Sequence, residues 1–333
     1  MKKYRILNST GISAEIINYG AIVVSLTAPG RNGKLEDVIL GFDDLSSYKK
    51  DKTFQGSIVG RYGNRIAAGK FSLDGKVYQL NLNDGPNHLH GGPKGFFKVI
   101  WDIEQLESRS VRLTYISPDG EEGYPGEVKL TVIYTITEDN ALRIEYHGIS
   151  NRPTVLNPTN HCYFNLSGSP KNTILEHELM LNADRFTPVD IHSIPIGELQ
   201  PVDGTPMDFR KAKPVGQDIA ADFEQIKIGG GYDHNWVING KPSQLRLAAT
   251  LYEPVSGRLM ECLTDQAGLQ FYSGNFLDGS MIGKGGVRYN YRCALCLEAQ
   301  AFPDSPNKPN FPSVVLRPGA EYHQTTIYRF SVR

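Results

Sequence analysis

The sequence predicts an all-β fold, a large antiparallel β-sandwich with few and short helices, and three observations carry that reading. Segments rich in β-branched and aromatic residues alternate apolar with polar side chains. Clusters of Gly, Asn, Asp and Pro separate them. Little of the chain has the period of an amphipathic helix. In chain order, strands are expected at residues 21–28, 111–117, 127–137, 141–150, 245–252 and 321–332. Leu73-Asp74-Gly75, Pro118-Asp119-Gly120 and Glu138-Asp139-Asn140 have the chemistry of hairpin turns. Helices are expected to be short and few, with 44–50 and 217–223 the leading candidates. Many strands with one apolar side each bury that side by packing two sheets face to face.

One domain spanning residues 1–333 is expected, because no Ser/Gly-rich linker or block of charge divides the chain. The Pro-rich loops 187–209 and 301–312 carry aromatics and aliphatics, so they read as ordered excursions. With 35 basic against 36 acidic residues and 40% hydrophobic residues, disorder and a polybasic nucleic-acid surface are both disfavoured. The lysines near the start lead into no apolar run, and no stretch of about 18 apolar residues occurs. A soluble cytoplasmic protein with no membrane partner is the expectation. Cys162, Cys262, Cys293 and Cys296 are too few for a secreted disulfide framework. Cys293 and Cys296 lie three apart in a strand-like segment and face opposite sides, which favours buried free thiols over a metal pair.

Five segments hold more polar function than turns require. GRYGNRI (60–66) sets Arg61 and Arg65 among glycines, where a planar fork can grip paired oxygens or simply decorate a solvated turn. PNHLHGG (86–92) places His88 and His90 on one face of an extended backbone, as a metal pair would be, but without a third ligand nearby. NPTNHCYFNLSG (157–168) reads as a strand carrying His161, which is either a satisfied core histidine or an acid-base group. GGGYDHNWVI (229–238) offers Asp233 to accept from vicinal hydroxyls and Trp236 to stack on a sugar ring. In ALCLEAQAFPDSPN (294–307), alternation puts Ala294, Cys296, Glu298 and Gln300 on one face and Leu295, Leu297 and Ala299 on the other. A carboxylate beside such small neighbours is costly unless it is paired or at work. The set is an acid-base site that needs no cofactor and no metal.

These segments, together with TPVD, IPIGE and LQFYSGNFLDG, occur in the order and approximate spacing of one family. The sequence resembles the aldose 1-epimerases, the galactose mutarotases, over nearly the whole chain. NPTNHCYFNL has the form of the family signature, with Pro158 and Cys162 at variable positions. The resemblance implies a galactose-mutarotase-type β-sandwich, or supersandwich, that binds free hexoses such as glucose and galactose in a cleft. Glu298 falls on the family's catalytic base, His161 on its acid and His90 on its other active-site histidine. Asn64, Arg65, Asp233 and Gln270 fall on sugar-contacting positions. The partner is then a small aldose, and the chain is expected as a monomer or weak homodimer.

Four rivals use the same residues. A glycoside hydrolase would pair Glu298 with Asp233. A sugar-phosphate mutarotase would need a basic pocket begun by Arg61. A lectin would bind without turnover, and a metal-dependent isomerase would be built on His88 and His90.

Overall fold

The computed structural model describes residues 2–333. Its largest sheet has nine antiparallel strands, in the order Asp102–Glu107, Ser110–Ser117, Val128–Ile136, Ala141–Ser150, Tyr322–Val332, Arg258–Thr264, Arg246–Tyr252, Glu178–Leu181 and Lys213–Pro214. A six-stranded sheet runs Tyr163–Phe164, Leu295–Gln300, Gly268–Tyr272, Asp233–Val237, Arg185–Thr187 and Gln200–Pro201. A four-stranded sheet made from residues 3–37 joins them. All six long strands expected from alternation are present, with ends displaced by at most one residue.

Alternation decides which side of each strand faces inward. Val128, Leu130, Val132, Tyr134 and Ile136 are fully buried, while the residues between them are partly or fully exposed. They share one core with Leu295, Leu297 and Ala299 of the smaller sheet. Burying a side chain of this size contributes about 1.5–3 kcal/mol. A one-residue slip of Leu295–Gln300 would exchange those side chains for Glu298, so the register is firmly specified. Hydrogen bonds from Tyr328 Oη to the Leu297 carbonyl, 2.7 Å, and from Gln324 Nε2 to the Ala299 carbonyl, 3.0 Å, tie the two sheets together.

Two expectations are overturned. Residues 217–223 form turns, and the helix follows at Glu224–Gly229. Upstream, the amides of Val215 and Gly216 donate to the carbonyls of His177 and Leu175, and Phe223 is extended, so the segment is held open. The other short helix, Leu45–Lys50, forms where expected, capped by the Asp44 side chain on the Ser47 amide. Residues 157–168 are not one strand. Thr159–Asn160 pairs with Ile58–Val59, and Tyr163–Phe164 pairs with residues of Leu295–Gln300, leaving His161 and Cys162 at the crossing between two sheets.

Candidate active site

His161 sits where the chain leaves one sheet for the other, and both of its backbone polar groups are used. Its amide donates to the Ser57 carbonyl and its carbonyl accepts from the Gly56 amide, each at 2.9 Å. The flanking asparagine Asn160 stitches this crossing, donating to Gly56 O and accepting from the Cys162 amide. The imidazole is therefore fixed, stacked at 5.1 Å on Tyr163 and tilted against Phe54 at 5.7 Å.

Glu298 arrives from the other direction. Its strand register sets it opposite Gln270, and Gln270 opposite Asn235. His161 Nε2 stands 3.7 Å from Glu298 Oε1, both side chains being almost fully buried. Glu298 Oε2 has no hydrogen-bond partner. A buried carboxyl oxygen left unpaired costs on the order of 1–3 kcal/mol or more, so the position favours a ligand that donates to it.

His90 completes the trio, its ring 5.1 Å from that of His161 and edge-on to Phe54 at 4.7 Å. The Asn64 amide donates to His90 Nδ1 at 3.1 Å, which leaves the proton of the neutral ring on Nε2. Arg65 is pinned by Asp84, Nε to Oδ2 2.7 Å. Asp233 Oδ1 accepts from Gln270 Nε2 at 2.8 Å, and Gln300 Nε2 reaches Gln270 Oε1 at 3.4 Å. A cavity of about 300 Å³ is lined by Asn64, Arg65, His90, His161, Asp233 and Glu298, with Phe54, Tyr163, Tyr272 and Phe276 as its aromatic walls. Larger grooves exist elsewhere, but the titratable groups converge here.

Burial dominates the electrostatics. It raises Glu298 well above the usual carboxyl range, helped by Asp233 and opposed by Arg65. It lowers His161 to about 4. His90 is pushed well below the ordinary imidazole value by burial, then by His161 and Arg65. Asp233 is raised by burial, against the pull of Arg65. Separate charges are disfavoured in this cavity, whereas a proton shared between Glu298 and His161 is not.

The structure brings Glu298, His161, His90, Asn64, Arg65 and Asp233 to one cavity and seats Gln270 directly behind Asp233 and beside Glu298. It removes three others. Arg61 is buried and donates to Ser117 Oγ and to the carbonyls of Pro125 and Gly126, so it faces no ligand and starts no phosphate pocket. His88 does not share a face with His90, because His90 has a left-handed backbone, φ 52°. Trp236 is wholly buried with Nε1 on the Met207 carbonyl, so it stacks on no sugar. All four cysteines are buried free thiols, as expected. Cys296 Sγ lies 3.5 Å from His161 Nδ1. Sequence reasoning missed Phe54 and Asp84. Asp84-Gly85 has only the signal of a turn, and Phe54 has none. One ligand atom each from His90, His161 and Glu298 lies within 4.8 Å of the others, so this trio, rather than His88 with His90, has the spacing to hold a metal.

Comparison with known proteins agrees with this geometry. The family model for aldose 1-epimerase matches residues 2–329. The galactose mutarotase of Bos taurus is 44% identical over 326 residues, covering 98% of this chain and 93% of that one. The aldose 1-epimerase of Escherichia coli is 37% identical over 332 residues, covering 98% and 95%. A crystal structure of an aldose epimerase homologue from C. elegans superposes with a TM-score of 0.91 at 35% identity, covering 99% of each chain. With the fold, the cavity and the full-length match in accord, the chain belongs to the aldose 1-epimerase family.

Proposed function

We propose that this protein interconverts the α and β anomers of free aldohexoses by acid-base ring opening, with Glu298 as base and His161 as acid. The observation that carries the reading is the 3.7 Å separation of two titratable groups on the wall of a sugar-sized cavity. Anomer exchange requires a proton to leave the C1 hydroxyl and another to reach the ring oxygen as the bond between C1 and that oxygen breaks. Rotation about C1–C2 then presents the other carbonyl face, and the steps reverse.

Burial raises Glu298 and lowers His161, so the neutral carboxyl and the neutral imidazole are the favoured forms in the cavity. Moving the carboxyl proton to His161 gives carboxylate beside imidazolium, and their attraction at contact distance offsets part of the burial cost. Sugar hydroxyls donating to the carboxylate supply more. His90, neutral and protonated at Nε2, is placed to donate to the ring oxygen or a neighbouring hydroxyl. Arg65, Asn64 and Asp233 hold the open chain while the aldehyde turns, and Gln270 orients Asp233.

One hydrophobic core runs through all three large sheets, which supports a single domain across the chain. No helix among the described residues is long and apolar enough to cross a membrane. Buried free thiols and balanced charge fit a cytoplasmic enzyme acting on a small sugar as a monomer or weak homodimer, without nucleic acid.

Polarimetry of freshly dissolved α-glucose and α-galactose tests the reading, and the protein should speed relaxation equally with and without chelator. Relaxation at the buffer rate means binding alone. Loss of activity with chelator transfers the chemistry to a metal on the His90, His161 and Glu298 trio. Release of phenol from an aryl glycoside would make it a hydrolase, and a preference for phosphorylated hexose would make it a sugar-phosphate enzyme.

A further inference from the structure

A second three-ligand cluster lies outside the cavity, on the outer face of the nine-stranded sheet. In Ala141–Ser150 the inward positions Ile144 and Tyr146 are buried, so Glu145 and His147 project outward together. The neighbouring strand pairs His323 directly with His147, and the two rings meet edge to face at 4.9 Å. One ligand atom each from Glu145, His147 and His323 lies within 4.8 Å of the other two.

A second feature of the same place points to a metal. Glu321 Oε1 lies 3.3 Å from His147 Nδ1, and Asp265 Oδ2 lies 3.8 Å from His323 Nδ1. A metal-ligating histidine typically gives one ring nitrogen to a carboxylate, which fixes its tautomer, and presents the other nitrogen to the ion. Glu321 is that outer partner for His147, while Asp265 faces His323 from just beyond hydrogen-bond distance. Asp265 is itself anchored, accepting from the Thr325 amide at 3.0 Å. Glu145 is steadied by Arg143, whose NH2 donates to Oε1 at 2.8 Å.

We propose that Glu145, His147 and His323 bind a divalent d-block ion, with zinc, nickel or copper as its class, at a surface site separate from the sugar cavity. Two imidazoles and one carboxylate suit these borderline ions and suit magnesium or calcium poorly, since those prefer an all-oxygen shell. Bonds of about 2.0–2.2 Å in a tetrahedral site put ligand atoms roughly 3.3–3.6 Å apart. The cluster must therefore close by at most roughly 1.5 Å. Partly exposed side chains achieve that by small torsional changes, while the paired strands hold the Cα positions. Water completes the shell. The bound ion would cross-link Ala141–Ser150 to the C-terminal strand Tyr322–Val332.

The test is zinc titration of the full-length, untagged protein by calorimetry, with cobalt absorption as a second readout of coordination. The wild type should take up one zinc at this site, with the d–d bands of a four-coordinate cobalt complex. The double variant His147→Asn/His323→Asn should weaken zinc binding at least about 10-fold. Mutarotation by that variant in chelator should match the wild type, because neither residue lines the cavity. His90→Gln, which breaks the cavity trio, should leave the surface zinc in place. Absence of zinc uptake by the wild type, or uptake unaltered in the double variant, overturns the proposal. Zinc binding lost only in His90→Gln assigns the ion to the cavity and overturns it equally. Cobalt titration of His90→Gln, in which only the surface set keeps all three ligands, decides the matter even if the double variant folds poorly: four-coordinate bands there support the proposal and their absence overturns it.

Discussion

Two small regions of the molecule start from the same residue types and end in opposite roles. In one, Arg61 and His88 converge on Tyr124. The Arg61 guanidinium lies over that ring at 5.5 Å, and His88 Nε2 accepts from its hydroxyl at 2.6 Å. His88 Nδ1 donates to the Asn81 carbonyl, so both ring nitrogens are spent. In the other, Arg65 and His90 keep polar atoms for the cavity. The short strands Arg65–Ile66 and His88–Leu89 pair so that Ile66 lies opposite His88 and Arg65 opposite Leu89. Pairing sends His88 with Ile66 toward the small core and leaves Arg65 and Leu89 on the cavity side. The chain then turns left-handed at His90, and that residue joins the cavity instead of following His88. Residue type does not assign the role here; backbone direction does.

That contrast can be broken or sharpened by substitution. Glu298→Gln should cut mutarotation by about 10²- to 10⁴-fold, equivalent to about 3–5 kcal/mol of barrier. Calorimetric sugar binding should survive, and near-normal turnover would remove the base assignment. Arg61→Met should act on folding instead, costing on the order of 3 kcal/mol or more because Ser117, Pro118, Pro125 and Gly126 lose a buried donor. Urea denaturation checks this, with KM of the folded fraction expected unchanged. Arg65→Lys should do the reverse, raising KM about 10-fold with little change in the denaturation midpoint, since one ammonium cannot replace a fork held by Asp84.

The smallest effect is a pH slope. Burial lowers His88 to about 4, so in the folded state it stays neutral where an unfolded histidine has begun to bind a proton. The stability linked to it is present above about pH 6.5 and is lost as pH falls toward 4. His161, His177 and His234, all lowered by burial, act in the same direction. Denaturation midpoints should fall across that window, and His88→Gln should reduce the slope by up to one proton. Glu298 runs oppositely. Its raised value means that its neutral form favours folding at low pH, and that contribution fades as pH rises through the raised value.

Much of this was legible without coordinates. Alternation located the long strands, because the side-chain period of a sheet is fixed by backbone geometry. The face of Leu295–Gln300 that carries Glu298 followed from the same rule, and the ordered motifs singled out Glu298, His161, His90, Asn64, Arg65 and Asp233, which line one cavity. The rule failed where the chain leaves regular structure. Residues 157–168 looked like one strand because their composition is that of a strand, but the paired segments on either side of His161 belong to different sheets. His88 and His90 looked like partners because an extended backbone was assumed through both, and the left-handed turn at His90 carries no strong composition signal.

The sequence by itself determined the long strands, their inward faces and the inventory of acid-base groups, since each of these is local to a segment. Tertiary structure decided how His90 and Arg65 reach the cavity while His88 and Arg61 turn away, how close His161 comes to Glu298, and in which direction burial shifts their protonation. Those properties depend on pairing between distant strands and on the loss of water around the groups they bring together. Neither is encoded in any one stretch of chain.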